Sequence, residues 1–210
     1  MVETPAEEAR VNLLAQNSRF IASLSHAGSV EEAKGYIHKI KNEFPDASHH
    51  VAAYLIGGGN SVIEYCTDAG EPSGTAGKPA LTVLRASSLG DVVLVITRYF
   101  GGTLLGKGGL VKAYTESAQL AVAKVKRARK QVVSVIQMVI PYNKLEPIRN
   151  RVKAVKGNII SEEFSESVEM KVQVGVDESQ AFRLYVRDLT NGKCNPKVEK
   201  TLEILLPAID

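Results

Sequence analysis

Apolar positions in this chain fall into short blocks, each with the spacing of one element, and glycine-rich text separates the central ones. In GDVVLVITRYF, Val92 to Ile96 form an unbroken apolar run that predicts a strand buried on both faces. Downstream, Leu110, Tyr114, Ala118, Ala121 and Val125 recur at helical spacing and predict a helix over 110–125. The unit therefore reads as strand, glycine loop, helix. Upstream, Ser18 to Ser25 alternates partly and reads as a strand. The text SVEE from Ser29 is a capping box with Glu32 at the third helical position. It predicts a helix running to Phe44, with Ala33, Tyr36, Ile37 and Ile40 inward and Pro45 as its stop. His49 to Ile56 reads as a strand, Gly57 to Asn60 as a turn and Ser61 to Tyr65 as the hairpin partner. A polar loop, Thr67 to Pro79, leads into a helix from Gly77 to Ala86. Residues 1–16 have scattered apolar positions that fit a short strand or a loose helix, and the pattern leaves the choice open.

The second half has a simpler order. Gln131–Pro141 reads as a strand, Lys144–Lys156 as a helix, Ile159–Phe164 and Val168–Val176 as strands, Glu178–Thr190 as a helix and Val198–Leu206 as a strand. This β-α-β-β-α-β succession is the ferredoxin-like plan. Gly157 and Gly192 stand just past the two helices, where a left-handed residue commonly ends a helix. The fold class is α+β, with a boundary near Arg129 that gives domains 1–129 and 130–210.

Composition narrows the class further. The 210 residues are 44% hydrophobic and 23% charged, as in ordinary soluble domains. No apolar run approaches the roughly 20 residues that span a bilayer, and the acidic start MVETPAEEAR does not read as a secretory signal. Two cysteines, Cys66 and Cys194, suggest a reducing cytoplasm without a disulfide framework and are too few for a four-thiolate zinc site. The formal net charge is +3, and Lys124, Lys126, Arg127, Arg129 and Lys130 concentrate five cations where the halves meet. Such a segment either touches RNA phosphates or is a solvated helix end that complements the helix dipole.

Candidate chemistry sits in the glycine blocks. Twelve of the 17 glycines lie between Gly57 and Gly109. That density serves either close packing of helix on sheet or a backbone that lets a ligand approach. A strand–loop–helix unit aims free N–H groups at an anion, and Arg98 and Lys107 are read as cations framing it. Gly101 to Lys107 fits the first seven positions of a phosphate-cradling G-x-x-x-x-G-K loop, but Gly108 stands where magnesium needs Ser or Thr, which excludes a nucleotide-hydrolysing P-loop. Asp68, Glu71, Ser73, Thr75 and Lys78 crowd the loop DAGEPSGTAGKP. They offer a carboxylate base and hydroxyls for catalysis, or caps for the following helix; no residue is assigned a catalytic role. Tyr99 and Phe100 beside Arg98 either belong to the core or stack on a base. His49 and His50 point to opposite faces of a strand, and no metal site or cofactor is expected.

The blocks DAGEPSGTAGKP, VLVITRYFGG and LGKGGLVKAY, in that order between Asp68 and Tyr114, resemble the IMPACT family, whose bacterial members include YigZ-type proteins. The resemblance implies a first domain of the fold shared by a small-subunit ribosomal protein domain and GHMP-type kinases. It implies a second, ferredoxin-like domain similar to those of elongation factor G. Eukaryotic relatives regulate translation by binding a ribosome-associated activator of the starvation kinase. Translation regulation without catalysis, with RNA or a ribosome-associated protein as partner, is therefore the leading expectation. A nucleotide- or phosphometabolite-binding enzyme and a protein-interaction module are the alternatives. The expected contact set is Asp68, Glu71, Ser73, Thr75, Lys78, Arg98, Tyr99, Phe100, Gly101, Gly102, Lys107 and Gly108; the oligomeric state stays open.

Overall fold

The computed structural model describes residues 3–58 and 61–207 and has a mixed α+β architecture with antiparallel sheets. The chain divides into two compact units, one running to Arg129 with the residues from Leu206 onward, the other Lys130–Leu205.

The first unit contains β1 (Glu3–Pro5), β2 (Ala9–Ala15), β3 (Ser18–His26), α1 (Val30–Glu43), β4 (His49–Gly58), β5 (Ser61–Thr67), α2 (Gly77–Ala86), β6 (Val92–Tyr99) and α3 (Gly106–Lys124). Its main sheet has the order β2-β3-β6-β4-β5. Strand β6 lies in the middle, and its apolar run is buried throughout, as a strand covered on both faces requires. Side chains alternate across it. Val92, Leu94 and Ile96 pack with Phe20, Val51, Leu84 and Tyr114 beneath α2 and α3. Val93 and Val95 pack beneath α1 with Tyr54, Ile40 and Ala33. The unit is thus three layers, with two helices on one face and one on the other.

Local chemistry explains most element boundaries. At the start of α1, Ser29 Oγ accepts from Glu32 N at 3.1 Å, and Glu32 Oε2 accepts from Gly28 N at 2.8 Å, a reciprocal cap worth about 1 kcal/mol. The described part of the open segment, residues 3–16, forms two strands, and in the second Val11 and Leu13 pack against the core while Asn12 and Leu14 face water. The turn expected at Gly57–Asn60 includes Gly59 and Asn60, which lie outside the described residues. Helix α3 begins at Gly106, four residues earlier than its apolar spacing indicates, so GKGG is a helical turn and not loop.

The second unit holds most of β7 (Arg127–Ile140), α4 (Leu145–Ala154, after a single 3-10 turn at Tyr142–Lys144), β8 (Asn158–Phe164), β9 (Val168–Gly175), α5 (Val176–Leu189) and β10 (Lys197–Pro207). Strand β9 lies between β7 and β8, and β10 pairs with β7. On β9, Val168, Met170, Val172 and Val174 all turn inward against Ile148 and Val152 of α4 and Phe182 and Val186 of α5. Strand β7 starts four residues before the expected Gln131, because Arg127–Arg129 pair with β1. The five cations there are not a free linker. Arg127 and Arg129 bind Glu3 at 3.1 and 3.3 Å, Lys126 pairs with Glu7, Lys130 with Glu203, and Lys124 donates to Arg10 O.

Both helices of this unit end with the N–H of Gly157 or Gly192 donated five residues back, to Val152 O and Arg187 O. The left-handed conformation at the first of these ends is not at Gly157, as its place after the helix suggests, but at Lys156, with φ of 53°. Gly157 is needed for space, since a Cβ there would sit 2.6 Å from Gln173 O. At the other end Asn191 and Gly192 are both left-handed. An exposed lysine in that conformation is strained. Lys156→Gly should therefore raise stability by about 0.5–1 kcal/mol, seen as a higher urea midpoint with unchanged slope; a lower midpoint would show that the turn is not strained.

Candidate functional site

The two glycine-rich loops meet at one end of the main sheet. The register that places Arg98 of β6 opposite both Phe20 of β3 and His49 of β4 turns all three side chains to the face covered by α2 and α3. There Arg98 is 4% exposed, and its Nη1 donates to Glu71 Oε1 at 2.7 Å. Tyr114 OH, from α3, donates to the same oxygen at 2.7 Å. Burial and the adjacent Glu71 both push the Tyr114 phenol well above its ordinary value, so it remains a donor. Arg98 Nη2 reaches Ser18 Oγ at 3.2 Å, and that hydroxyl also accepts from Gly101 N. One buried ion pair thus links β3, the first glycine loop, β6, the second glycine loop and α3. The guanidinium also stacks on Phe20 and Phe100, 5.3 and 5.5 Å from the ring centres.

Asp68 organises the first loop. Its carboxylate accepts from the N–H groups of Gly74 (2.8 Å), Ala76 (3.0 Å) and Gly77 (2.8 Å). Burial works to raise its carboxyl, but the three N–H groups outweigh that and hold it below the ordinary aspartate range. The start of α2 already has its anion, since no side chain of the cap residue Ala76 serves it. Thr75 is buried and donates to Pro72 O at 2.6 Å, whereas Ser73 and Lys78 are exposed. His49, beneath the loop, donates from Nδ1 to Ala69 O at 2.9 Å, which leaves Nε2 facing Glu71 Oε1 at 3.9 Å. His50 lies on the opposite face beside Thr97 Oγ1, and burial lowers its pKa.

The second loop is the more open. Gly101 packs so closely that a Cβ would lie 2.0 Å from Asn17 O, while Gly102 and Gly106 take left-handed φ of 81° and 69°. Gly101, Gly102, Lys107 and Gly108 are exposed, and the residue before α3, Leu105, supplies no side-chain cap. Phe100 is 46% exposed, whereas Tyr99 is tied down, its OH donating to Asp46 Oδ1 at 2.9 Å. A groove of about 350 Å³ runs between Lys78, Pro79 and Thr82 of α2 and Val111 and Thr115 of α3.

The expected contact residues therefore form two groups. Lys78, Phe100, Gly101, Gly102, Lys107 and Gly108, with Ser73, are at the surface; Glu71, Thr75 and Arg98, with the half-buried Asp68 and Tyr99, lie beneath or are tied down and hold the loops. Of the two cations expected to frame an anion, Lys107 is exposed and Arg98 is turned inward to Glu71. The roles of Ser18, His49 and Tyr114 as partners in this junction came from outside the expected set. Tyr114 was visible in the sequence only as one position on a helix face, and pairings across this many residues leave no local pattern. Among the described residues no group of three or more His, Cys, Asp and Glu side chains converges as a metal site would. Among them, too, no helix is long and apolar enough to cross a membrane.

Comparison with known proteins agrees with this two-part architecture. Residues 16–122 match the model of the Impact N-terminal domain, and residues 138–193 match that of a domain of unknown function, DUF1949. IMPACT family member YvyE of Bacillus subtilis (strain 168) is 36% identical over 194 residues, 92% of this chain and 89% of its own. IMPACT family member YigZ of Escherichia coli (strain K12) is 34% identical over 178 residues, 84% of this chain and 87% of its own. A crystal structure described as that of a hypothetical protein aligns over 100% of this chain and 98% of its own, with 32% identity and a TM-score of 0.64. With both domain models matched in order, and relatives similar along nearly their whole length, the chain belongs to the IMPACT family.

Proposed function

We propose that this protein acts on translation by binding, without catalysis, an anionic component of the translation machinery at the loop end of its first domain. The observation that carries the reading is the division of labour in the two glycine loops. Asp68 and the Glu71–Arg98 pair satisfy the interior, so Lys78, Lys107, the uncapped first turn of α3 and the half-exposed Phe100 ring are left to face a partner. Free N–H groups and cations suit phosphate, and an aromatic edge suits a base. RNA of a ribosomal particle has both. Family membership supports the link to translation, and the setting is cytoplasmic. In this reading the domains are 1–129, with the fold shared by a small-subunit ribosomal protein domain and GHMP-type kinases, and 130–210, ferredoxin-like. Support for the latter is the β-α-β-β-α-β order with β9 between β7 and β8 and β10 beside β7.

Sucrose-gradient sedimentation of lysate at low and high salt tests the proposal. Wild-type protein is expected to travel with ribosomal particles at low salt and to leave them at high salt, because released counterions drive phosphate contacts. Lys78→Ala/Lys107→Ala should remain at the top of the gradient at either salt. Wild-type protein staying at the top in both conditions overturns the reading.

A further inference from the structure

A second surface of the first domain has no part in the loop end. Helix α1 and the β4–β5 hairpin enclose a groove of about 310 Å³ lined by Lys34, Ile37, His38, Lys41, Tyr54 and Tyr65. Its floor is aromatic. Tyr54 and Tyr65 are paired across the strands and stacked, with ring centres 5.0 Å apart and planes 17° from parallel. Tyr54 is buried at 5% exposure, while Tyr65 is 43% exposed and Ile63, two residues before it on the same face, is 55% exposed. The wall is basic. Lys34, His38 and Lys41 follow the i, i+4, i+7 spacing of one helix face. The side chains of these three have no ion pair or hydrogen bond among the described residues, whereas Lys39, on another face, is paired with Glu8. Glu64 points to the other face of the sheet, where Arg85 holds it, and Glu31, one turn before Lys34 on α1, is the acid that acts on Tyr54.

An exposed ring already stacked on one side, beside two exposed lysines and an imidazole donor, is what a strand of unpaired nucleotides requires. A base lies on the aromatic face and successive phosphates follow the cations. A duplex keeps its base faces covered and cannot use the ring. An acidic peptide would use the lysines and leave the tyrosine floor without a planar partner. We infer that the groove between α1 and the β4–β5 hairpin binds a single-stranded RNA segment, with one base stacked on Tyr65 and its flanking phosphates on Lys34, His38 and Lys41. The choice of RNA rests on the translation-related reading above; the groove itself is separate from the loop end.

Fluorescence anisotropy of the full chain with a labelled oligouridylate, titrated at several salt concentrations, tests it. Tyr65→Ala should weaken binding about tenfold, and Tyr65→Phe, which keeps the ring, should bind as wild type. Lys34→Ala/Lys41→Ala replaces two exposed side chains without touching the core. It should reduce the slope of log affinity against log salt by about 1.4. Lys78→Ala/Lys107→Ala should leave the Tyr65 effect in place, so a failure of ribosome association and a failure of the groove are read separately. No oligouridylate binding by the wild type, or binding that both groove variants leave unchanged, overturns the inference. So does displacement of the oligonucleotide by uridine monophosphate at equal nucleotide concentration, which would make this a free-nucleotide pocket.

Discussion

Glu71→Ala is expected to destabilise the first domain by about 3–5 kcal/mol, the largest effect of any single side-chain removal at the loop end. The carboxylate is the acceptor for both Arg98 Nη1 and Tyr114 OH, at 2.7 Å each. Without it, a guanidinium on a residue only 4% exposed keeps its charge with no counterion, and a buried phenol loses its acceptor. Leaving a buried charge alone costs far more than the net gain from forming the pair. The comparison that isolates this is Glu71→Gln/Arg98→Met, which removes both charges and should be much closer to wild type than Glu71→Ala. Urea unfolding, followed with α-helical circular dichroism, reads both variants. A loss below about 1 kcal/mol for Glu71→Ala would mean that water reaches the guanidinium and that the pair behaves as a surface bridge.

Asp68→Ala should cost about 2–3 kcal/mol, since one carboxylate holds three backbone donors that no other group in the loop satisfies. The effect carries a pH signature. The folded carboxyl titrates below its ordinary value of 3.8, so the folded state favours the charged form. The stabilisation is therefore complete above the unfolded pKa and is lost as pH falls through the folded one. The gap in stability between wild type and Asp68→Asn should accordingly be constant from neutral pH down to about pH 5 and shrink below 3.8. A gap that persists unchanged to pH 2 would show that the charge of Asp68 contributes nothing and only its shape matters.

Much of this could be read from the residues in order, because the signals were local. The capping box at Ser29, the buried run Val92–Ile96 and the inward face of α3 all rest on contacts within a few positions, and each is where the pattern put it. The role of small polar groups in capping α2 was likewise legible, although Asp68, nine residues before Gly77, performs it and not the nearer hydroxyls. Glycine misled in two places. In GKGG it read as loop because it is a poor helix former, yet a first turn needs few intrahelical bonds and tolerates it. At Gly157 it read as the left-handed position, when the close backbone of Gln173 was the reason for it. Arg98 read as a free surface cation because its partner is 27 residues away, and nothing in a strand end shows which way a long side chain will turn. The groove beside α1 was hidden for the same reason, since Tyr65 and Lys34 meet only where α1 packs beside the β4–β5 hairpin.

The Glu71–Arg98 junction also bears on time. Ser18 and Arg98 are 80 residues apart in the chain, and their contact exists only once β3 and β6 are in register. Closing so long a loop is entropically costly and belongs after the sheet has assembled. Interactions made that late scarcely alter how fast a chain folds; they set how slowly the finished molecule comes apart. The buried pair is therefore expected to act as a latch, prolonging the lifetime of the two glycine loops in their folded shape without hastening their formation.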